Sequence, residues 1–401
     1  MKNVLKKLVL FILKSLAKYR LKRFKGKIVA VTGSIGKTST KEAIYSVLNS
    51  QFKVRASKKS MNSEFGLLLS ILDIESGYSS VYKWSILLLK AFYNAFLKDH
   101  SEVLLFELGV DKPGDMDYLT SIVKPDIAVM TNIFPVHMES GQFSSLQAIF
   151  DEKRKIVDNL KKGGIAILNV DNPFLAMFAK KREKKNTATF GKENDAMFRA
   201  EEVKLSENGV KFLLNFEDKK YEVTSSVLGE YQVYVLLPAI ICGHFLGMTF
   251  EDAIAALQRY ELPPGRMSII PAIRGAVILD SSYNSSPEPL REALKVLKEI
   301  GTGKRKVAVL GSMNELGPNS KALHEQVGEF IPEYTDLLIT VGAEAKTFAT
   351  VAKGKGMASE RIFSFDDPLE AVKFFKDEID EKDIVLVKGS QNKIRLEKFI
   401  K

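Results

Sequence analysis

Cysteine is almost missing from this chain: Cys242 is the only thiol in 401 residues. That excludes an intramolecular disulfide and any cysteine-based zinc site, and it suits a reducing compartment. Lying within the apolar stretch 236–246, the thiol reads as a small buried side chain. Histidine is also scarce, with four residues, so imidazole chemistry has few candidates. Long apolar runs are lacking as well. The run near the N-terminus covers only residues 8–13, far short of the ~20 residues that a spanning helix needs.

Acidic residues are absent from the first 27 positions, which hold ten lysines and arginines. The net charge of +10 therefore belongs to this arm, and the electrically balanced remainder argues against nucleic acid as a partner. Residues 1–26 interleave these charges with Leu5, Leu8, Phe11, Leu13, Leu16, Tyr19 and Phe24. A basic helix lying on an anionic membrane surface, or docking a partner, fits the pattern. A helix packed on its own protein and a cleaved secretory signal are the alternatives. No small-residue cleavage site follows, and the charges continue through Lys27. A second apolar segment, 76–99, carries Tyr78, Tyr82, Trp84, Phe92, Tyr93 and Phe96. It is expected to be either a helical hairpin meeting the same surface or a buried core helix.

What the chain does have is Val31-Thr32-Gly33-Ser34-Ile35-Gly36-Lys37-Thr38-Ser39, an apolar strand running into a glycine turn and then a helical pattern. This is the chemistry of a phosphate cradle for ATP. Glycines let backbone N–H groups approach phosphate, the helix presents its positive end, Lys37 reaches the outer phosphates, and the Thr38 hydroxyl holds Mg²⁺. The two glycines are closer together than in the usual loop, so an ordinary tight strand-to-helix turn is the plainer alternative.

Apolar stretches at 103–106, 127–131 and 165–169 alternate with helical patterns at 115–122 and 145–160. The alternation predicts an α/β fold with a mostly parallel sheet, to which residues 196–224 add an antiparallel hairpin. Pro263-Pro264-Gly265 marks a hinge. Beyond it strands at 277–280, 307–311, 337–341 and 384–388 alternate with helices at 289–300, 321–330, 343–353, 368–376 and 392–400. The expected domains are thus an arm (1–26), a P-loop central domain (27–264) and a Rossmann-like, doubly wound C-terminal domain (265–401).

Glu107 ends one strand, and the next runs into Thr131-Asn132-Ile133 and His137. In an open parallel sheet this edge faces the ligand crevice, so Glu107 can reach a Mg²⁺ held by Thr38. His137 is a candidate metal ligand, although a lone histidine is more often a loop or cap residue.

These motifs occur in order with Asn62, Glu64 and Gly66, then Asp151 to Lys153, then Asn169-Val170-Asp171-Asn172-Pro173, then Gly265-Arg266-Met267, Tyr283-Asn284, Glu315-Leu316-Gly317, His324 and Lys388-Gly389-Ser390. The set resembles the Mur ligase family of peptidoglycan synthesis. The resemblance implies ATP-dependent amide ligation through an acyl phosphate, most closely D-alanyl-D-alanine addition to a muramyl-peptide precursor by a cytoplasmic enzyme. It gives Lys37, Glu107, His137 and Lys153 catalytic roles. Gly33, Ser34, Gly36, Lys37, Thr38, Ser39, Gln232, Arg266, Asp280 and Asn284 would meet the nucleotide, and Asn62, Asn132, Tyr283, Lys388 and Ser390 the substrates. It further implies two Mg²⁺ ions held by Thr38, Glu107, His137 and Lys153, the last as a carbamylated lysine; on residues alone Lys153 is one more charge on a solvated helix.

Departures from the family pattern are informative. Gln232 replaces one adenine-contacting amide and Val235 cannot replace the other; Ser281, Ser312 and Gln391 stand where charged residues are expected. Only about 27 residues precede the cradle strand, so the family's N-terminal UDP-binding domain is expected to be missing. The carboxylate would then be held differently, as on a lipid-linked or otherwise membrane-held precursor, with the enzyme peripheral at the inner face of the membrane. Ligation of another carboxylate, as in folylpolyglutamate synthesis, and a membrane-attached nucleotide-binding scaffold without activity are the competing readings.

Overall fold

Two sheets organise the molecule, shown by a computed structural model that describes residues 2–58, 61–75, 81–193, 196–390 and 396–399. The chain opens with α1 (Lys2–Arg23), β1 (Lys27–Thr32), α2 (Lys37–Leu48), β2 (Val54–Ala56), α3 (Glu64–Leu72) and α4 (Val81–Phe96). It continues through β3 (Val103–Glu107), α5 (Asp115–Thr120), β4 (Ile127–Met130), α6 (Leu146–Asp158), β5 (Ile165–Asn169) and α7 (Pro173–Lys180). Four strands follow, β6 (Thr187–Gly191), β7 (Phe198–Ser206), β8 (Gly209–Phe216) and β9 (Lys219–Ser225), then α8 (Val233–Phe245) and α9 (Phe250–Leu257).

These strands form one sheet in the order β2-β3-β1-β4-β5-β6-β7-β8-β9, parallel from β2 to β6 and antiparallel across β7-β8-β9. Both faces of its parallel part are covered, which is why β1 reads as an unbroken apolar run. Val29 and Val31 pack towards α2 and α8, while Ile28 and Ala30 join the opposite core with α3 and α6. Strand β1 lies between β3 and β4, where the order of strand addition changes direction, so the loop after it opens into the crevice that such a switch point creates.

The second sheet is built from β10 (Ser268–Pro271), β11 (Val277–Ser281), β12 (Arg305–Gly311), β13 (Leu337–Val341), β14 (Ile362–Phe365) and β15 (Asp383–Lys388). Its order is β10-β11-β15-β12-β13-β14, with only β10 antiparallel. One face is covered by α10 (Pro287–Ile300), α11 (Ser320–Gly328), α12 (Ile331–Tyr334) and α13 (Lys346–Gly354), the other by α14 (Pro368–Glu378). Within the expected helix 392–400, residues 392–395 and 400 lie outside the described residues, and Leu396–Phe399 form a single 3₁₀ turn. Gln391 also lies outside them.

The N-terminal arm is one helix held against its own protein. Val9, Leu13, Ala17 and Arg20 are buried at helical spacing against α3 and α4. Segment 81–96 is a single helix rather than a hairpin, with Ala91, Asn94 and Ala95 buried and the opposite side exposed; residues 76–80 lie outside the described residues. No described helix is long and apolar enough to cross a membrane.

Candidate active site

A cavity of about 950 Å³ opens between the two sheets, at the C-terminal ends of their parallel strands. The cradle forms one wall. Backbone φ at Gly33 is 149°, and a Cβ there would run into the Thr131 hydroxyl, so this turn needs glycine. Three bonds tie the loop to the end of β4: Ser34 N–H to the Asn132 carbonyl (2.9 Å), Ile35 N–H to Asn132 Oδ1 (2.9 Å) and Thr131 Oγ1 to the Ile35 carbonyl (2.6 Å). Asn132, expected to meet substrate, thus has its amide oxygen engaged in shaping the cradle. The Ser34 hydroxyl is likewise bound to Phe134, donating to its carbonyl and accepting its N–H, both at 2.9 Å, so the buried Ser34 has its hydroxyl and its N–H both engaged in shaping the loop.

Lys37 begins α2 and folds back over the loop, its Nζ donating to the Gly33 carbonyl at 2.9 Å and the Ser34 carbonyl at 3.1 Å. Burial pulls its pKa down, with Glu107 opposing. A phosphate would replace those two carbonyls with full charge complementarity. Two residues on, the buried Ser39 accepts the Tyr260 hydroxyl through its carbonyl at 3.0 Å, which fastens α2 to the segment before the hinge.

Thr38 donates its hydroxyl to Glu107 Oε2 at 2.9 Å, and Asn62 Nδ2 donates to Glu107 Oε1 at 3.1 Å. β1 and β3 are hydrogen-bonded neighbours, so this pairing follows from the sheet order. Oxygen ligands of this hardness suit Mg²⁺, which takes one or two protein oxygens and fills its octahedron with phosphate and water. Among the described residues no group of three or more His, Cys, Asp or Glu could hold a metal by itself.

Lys153 is fully buried on α6, and its Nζ has no hydrogen-bond partner. Burial pushes its pKa far below the ordinary lysine value, the Lys37 charge adding to the effect. It therefore does not sit on a solvated helix face, and it does not itself line the cavity.

The second unit supplies the facing wall. Arg266 stacks over Tyr283, its guanidinium carbon 4.3 Å from the ring centre, and both line the cavity. Ser390 Oγ donates to Asn284 Oδ1 at 3.1 Å and accepts the Asn314 N–H at 3.1 Å. Lys388 is buried, donating to Ser281 Oγ at 3.0 Å and the Asn284 carbonyl at 3.1 Å. Burial, with the Arg266 charge, pushes its pKa down to about 7. Asp280 departs from expectation. Its carboxylate accepts Gly265 N–H (3.0 Å), Ser282 N–H (3.0 Å) and the Ser282 hydroxyl (2.6 Å), so it fixes the hinge turn and does not itself line the cavity.

His137 and Glu315 join the two walls, Nδ1 to Oε2 at 3.2 Å, with Asp111 Oδ1 3.7 Å from the same nitrogen. The nearby His137 imidazole holds the Glu315 carboxyl below the usual range, against the opposing effect of burial. Gly317 lies against the Met138 carbonyl, where any side chain would collide, which explains glycine in Glu315-Leu316-Gly317. His324 acts from behind: its Nε2 accepts the Met313 N–H at 3.0 Å while Nδ1 meets the Ser320 carbonyl at 2.7 Å, so the neutral ring braces this loop.

Sequence reasoning missed the wall around Asp171, which accepts the Tyr234 hydroxyl and the Lys192 N–H, both at 2.7 Å. Gln232, beside it in the cavity, is buried with Nε2 donating to the Leu228 carbonyl at 3.3 Å and Oε1 unpartnered. The signal for Asp171 was its place just past the end of β5, at the same sheet edge as Glu107 and Asn132.

A P-loop on a parallel sheet, a hydroxyl–carboxylate corner suited to Mg²⁺ and a second α/β unit facing both are the parts of a nucleotide-dependent enzyme, and the family domains and relatives that match it make it an ATP-dependent, ADP-forming ligase. The Mur ligase middle domain matches residues 31–243, and the Mur ligase glutamate ligase domain matches residues 265–391. The chain belongs to the Mur ligase family. It is similar to UDP-N-acetylmuramoyl-tripeptide–D-alanyl-D-alanine ligases from Bacillus subtilis (27% identity; 97% of this chain, 78% of the relative) and Rickettsia prowazekii (29%; 97% and 80%). Among solved structures, the MurF ligase of Thermotoga maritima in complex with ADP superposes with a TM-score of 0.81 at 28% identity, over 98% of this chain and 82% of that one.

Proposed function

We propose that this chain activates a substrate carboxylate with ATP and joins it to an amine, adding D-alanyl-D-alanine to a muramyl tripeptide in peptidoglycan synthesis. The observation that carries the reading is the Thr38–Glu107 pair beside Lys37, at the mouth of a cavity with two walls. A carboxylate oxygen attacks the γ-phosphorus and ADP leaves, giving an acyl phosphate. The amine then attacks the acyl carbon, inorganic phosphate leaves, and the amine's surplus proton goes to solvent or a nearby base.

Lys37 gives up the Gly33 and Ser34 carbonyls and follows the transferring phosphoryl group. Thr38 and Glu107 would hold one Mg²⁺, and His137 would help hold a second. Bound there, the ions neutralise charge that builds on the phosphoryl oxygens. Lys153 fits carbamylation: its buried amine, with a pKa well below the ordinary lysine value, attacks CO₂ and loses a proton, and the resulting carbamate anion would orient the second ion. Arg266 meets phosphate from the closing wall. Gln232 Oε1 accepts the exocyclic amine of adenine, the role that Val235 cannot share. We further assign the enzyme to the cytoplasm, peripheral at the inner face of the membrane.

The test is ADP release from purified protein given ATP, Mg²⁺, a UDP-linked or lipid-linked muramyl tripeptide, and D-alanyl-D-alanine. Release that requires both the tripeptide and the dipeptide supports the reading. Release without the dipeptide, or none with either donor despite ATP binding, opposes it.

A further inference from the structure

Nine of the large apolar side chains exposed on this molecule lie on or just beyond two neighbouring helices. On α1 these are Leu8, Phe11 and Tyr19; on α4 and the residue after it they are Ile86, Leu89, Phe92, Tyr93, Phe96 and Leu97. The exposure is extensive, at 70% for Phe11, 74% for Leu89 and 65% for Tyr93. The two sets form one surface, because the Tyr19 and Phe96 rings are 4.9 Å apart and Phe96 is 4.9 Å from Phe92.

These side chains are not waiting to fold back onto the domain. The opposite sides of both helices are already buried, and the pair is clamped in place. Arg20 and Arg55 converge on Asp99 at 3.3 and 2.6 Å, Arg23 donates to the Phe96 carbonyl at 2.9 Å, and Asn94 donates to the Leu72 carbonyl at 2.8 Å. The outward aromatic face is therefore a fixed feature of the folded protein. An apolar patch of this kind marks an interaction site.

Charge selects the occupant. Neither residues 1–27 nor residues 76–98 contain an acidic residue, and Lys7, Lys18, Lys22, Arg23, Lys90 and Lys98 are exposed around the apolar face. A second copy would bring two such basic faces together, which like-charge repulsion opposes. An anionic bilayer supplies both halves of the match: headgroup phosphates for the basic rim, and an acyl boundary in which Tyr and Phe side chains are favoured.

We propose that the outer face of α1 and α4 docks on an anionic lipid bilayer, with Phe11, Tyr19, Leu89, Phe92, Tyr93 and Phe96 entering the interface and the basic rim pairing with lipid phosphates. The proposal deepens the peripheral placement suggested above and is independent of the ligase chemistry. It makes membrane attachment the work of both helices, with α4 contributing most of the buried surface.

The test uses the full chain and vesicles of equal parts phosphatidylcholine and phosphatidylglycerol, with pure phosphatidylcholine for comparison. Co-sedimentation is expected with the anionic vesicles only, weakening as salt rises. The Leu89→Asp, Phe92→Asp double variant should bind about tenfold or more weakly while keeping wild-type ATP affinity and melting temperature. Should that variant fold poorly, an environment-sensitive dye on Leu89→Cys gives an independent readout; the only other thiol, Cys242, is buried. Its emission should shift to an apolar signature on adding anionic vesicles. No binding to anionic vesicles, binding unaffected by the double variant, a dye that stays in water, or a dye signal that follows protein concentration without lipid would each overturn the proposal, the last in favour of a second copy. Failure of the ADP-release assay leaves these readouts untouched.

Discussion

His137 and Glu315 meet at 3.2 Å across the cavity, one on the loop after β4 and the other on the loop after β12, so a polar side-chain contact links the nucleotide wall to the wall that closes over it. Both residues hold left-handed backbone, with φ of 57° and 64°, so each loop presents its side chain from an unusual turn. Glu315→Gln removes one charge of a pair that is partly exposed, a contact of about 1 kcal/mol. The expected result is an apparent KM for ATP raised about fivefold with melting unchanged, measured by steady-state ADP release. An unchanged KM would mean that the pair does not assist closure.

Lys153 gives a prediction about carbon dioxide. Its amine is buried and partnerless, and burial pulls its pKa well below the ordinary lysine value, which favours the nucleophilic form that takes up CO₂. Activity should fall in rigorously CO₂-free buffer and return with bicarbonate, and ¹³C-bicarbonate should label Lys153 in an NMR spectrum. Lys153→Arg should show neither response. Activity indifferent to bicarbonate, together with an unlabelled Lys153, would contradict carbamylation.

Lys388 makes stability depend on pH. Its folded pKa of about 7 lies below the 10.5 of an unfolded lysine, so the unfolded chain binds more protons between those values. Below pH 7 the fold bears the full cost of burying the ammonium, and that cost is relieved as pH rises towards 10.5. Urea unfolding at pH 7 and pH 9 should therefore show a gain for the wild type that is smaller in Lys388→Met. Equal gains would place the titration elsewhere.

Asp99 anchors the helical face through two arginines, with side-chain exposures of 8% for itself and 10% for Arg20. Burial raises the carboxyl's pKa, but Arg55 and hydrogen bonds outweigh it and the net shift is downward. Asp99→Asn leaves two guanidinium groups facing each other without their counterion. A loss of about 2–4 kcal/mol is expected, seen as a lower urea midpoint. A loss under ~0.5 kcal/mol would show that apolar packing alone holds α1.

Much of this was legible in the sequence because it is local. The cradle, the strand that ends in Glu107 and the alternation of apolar runs with helical spacing each occupy a few consecutive residues. Long-range pairing was harder. β10 and β14 are short edge strands of four residues each, whose partners decide their state. Asp280 and Asn132 look like ligands in a motif, yet both have their oxygens engaged in holding turns, a use that only the folded chain reveals. The α1 pattern fitted both a membrane surface and a packed helix. The structure shows the packing, with a second apolar side left outward, because eight basic residues interleaved with apolar ones do not specify which side turns in.

The central claim is transfer of a phosphoryl group to a substrate carboxylate, followed by its displacement by an amine. It is tested most directly with a muramyl tripeptide labelled with ¹⁸O in its reacting carboxylate, given ATP and D-alanyl-D-alanine, with the released phosphate read by mass spectrometry. The account predicts one ¹⁸O atom in each inorganic phosphate formed, alongside the new amide. Unlabelled phosphate, or labelled donor recovered without amide, would contradict it.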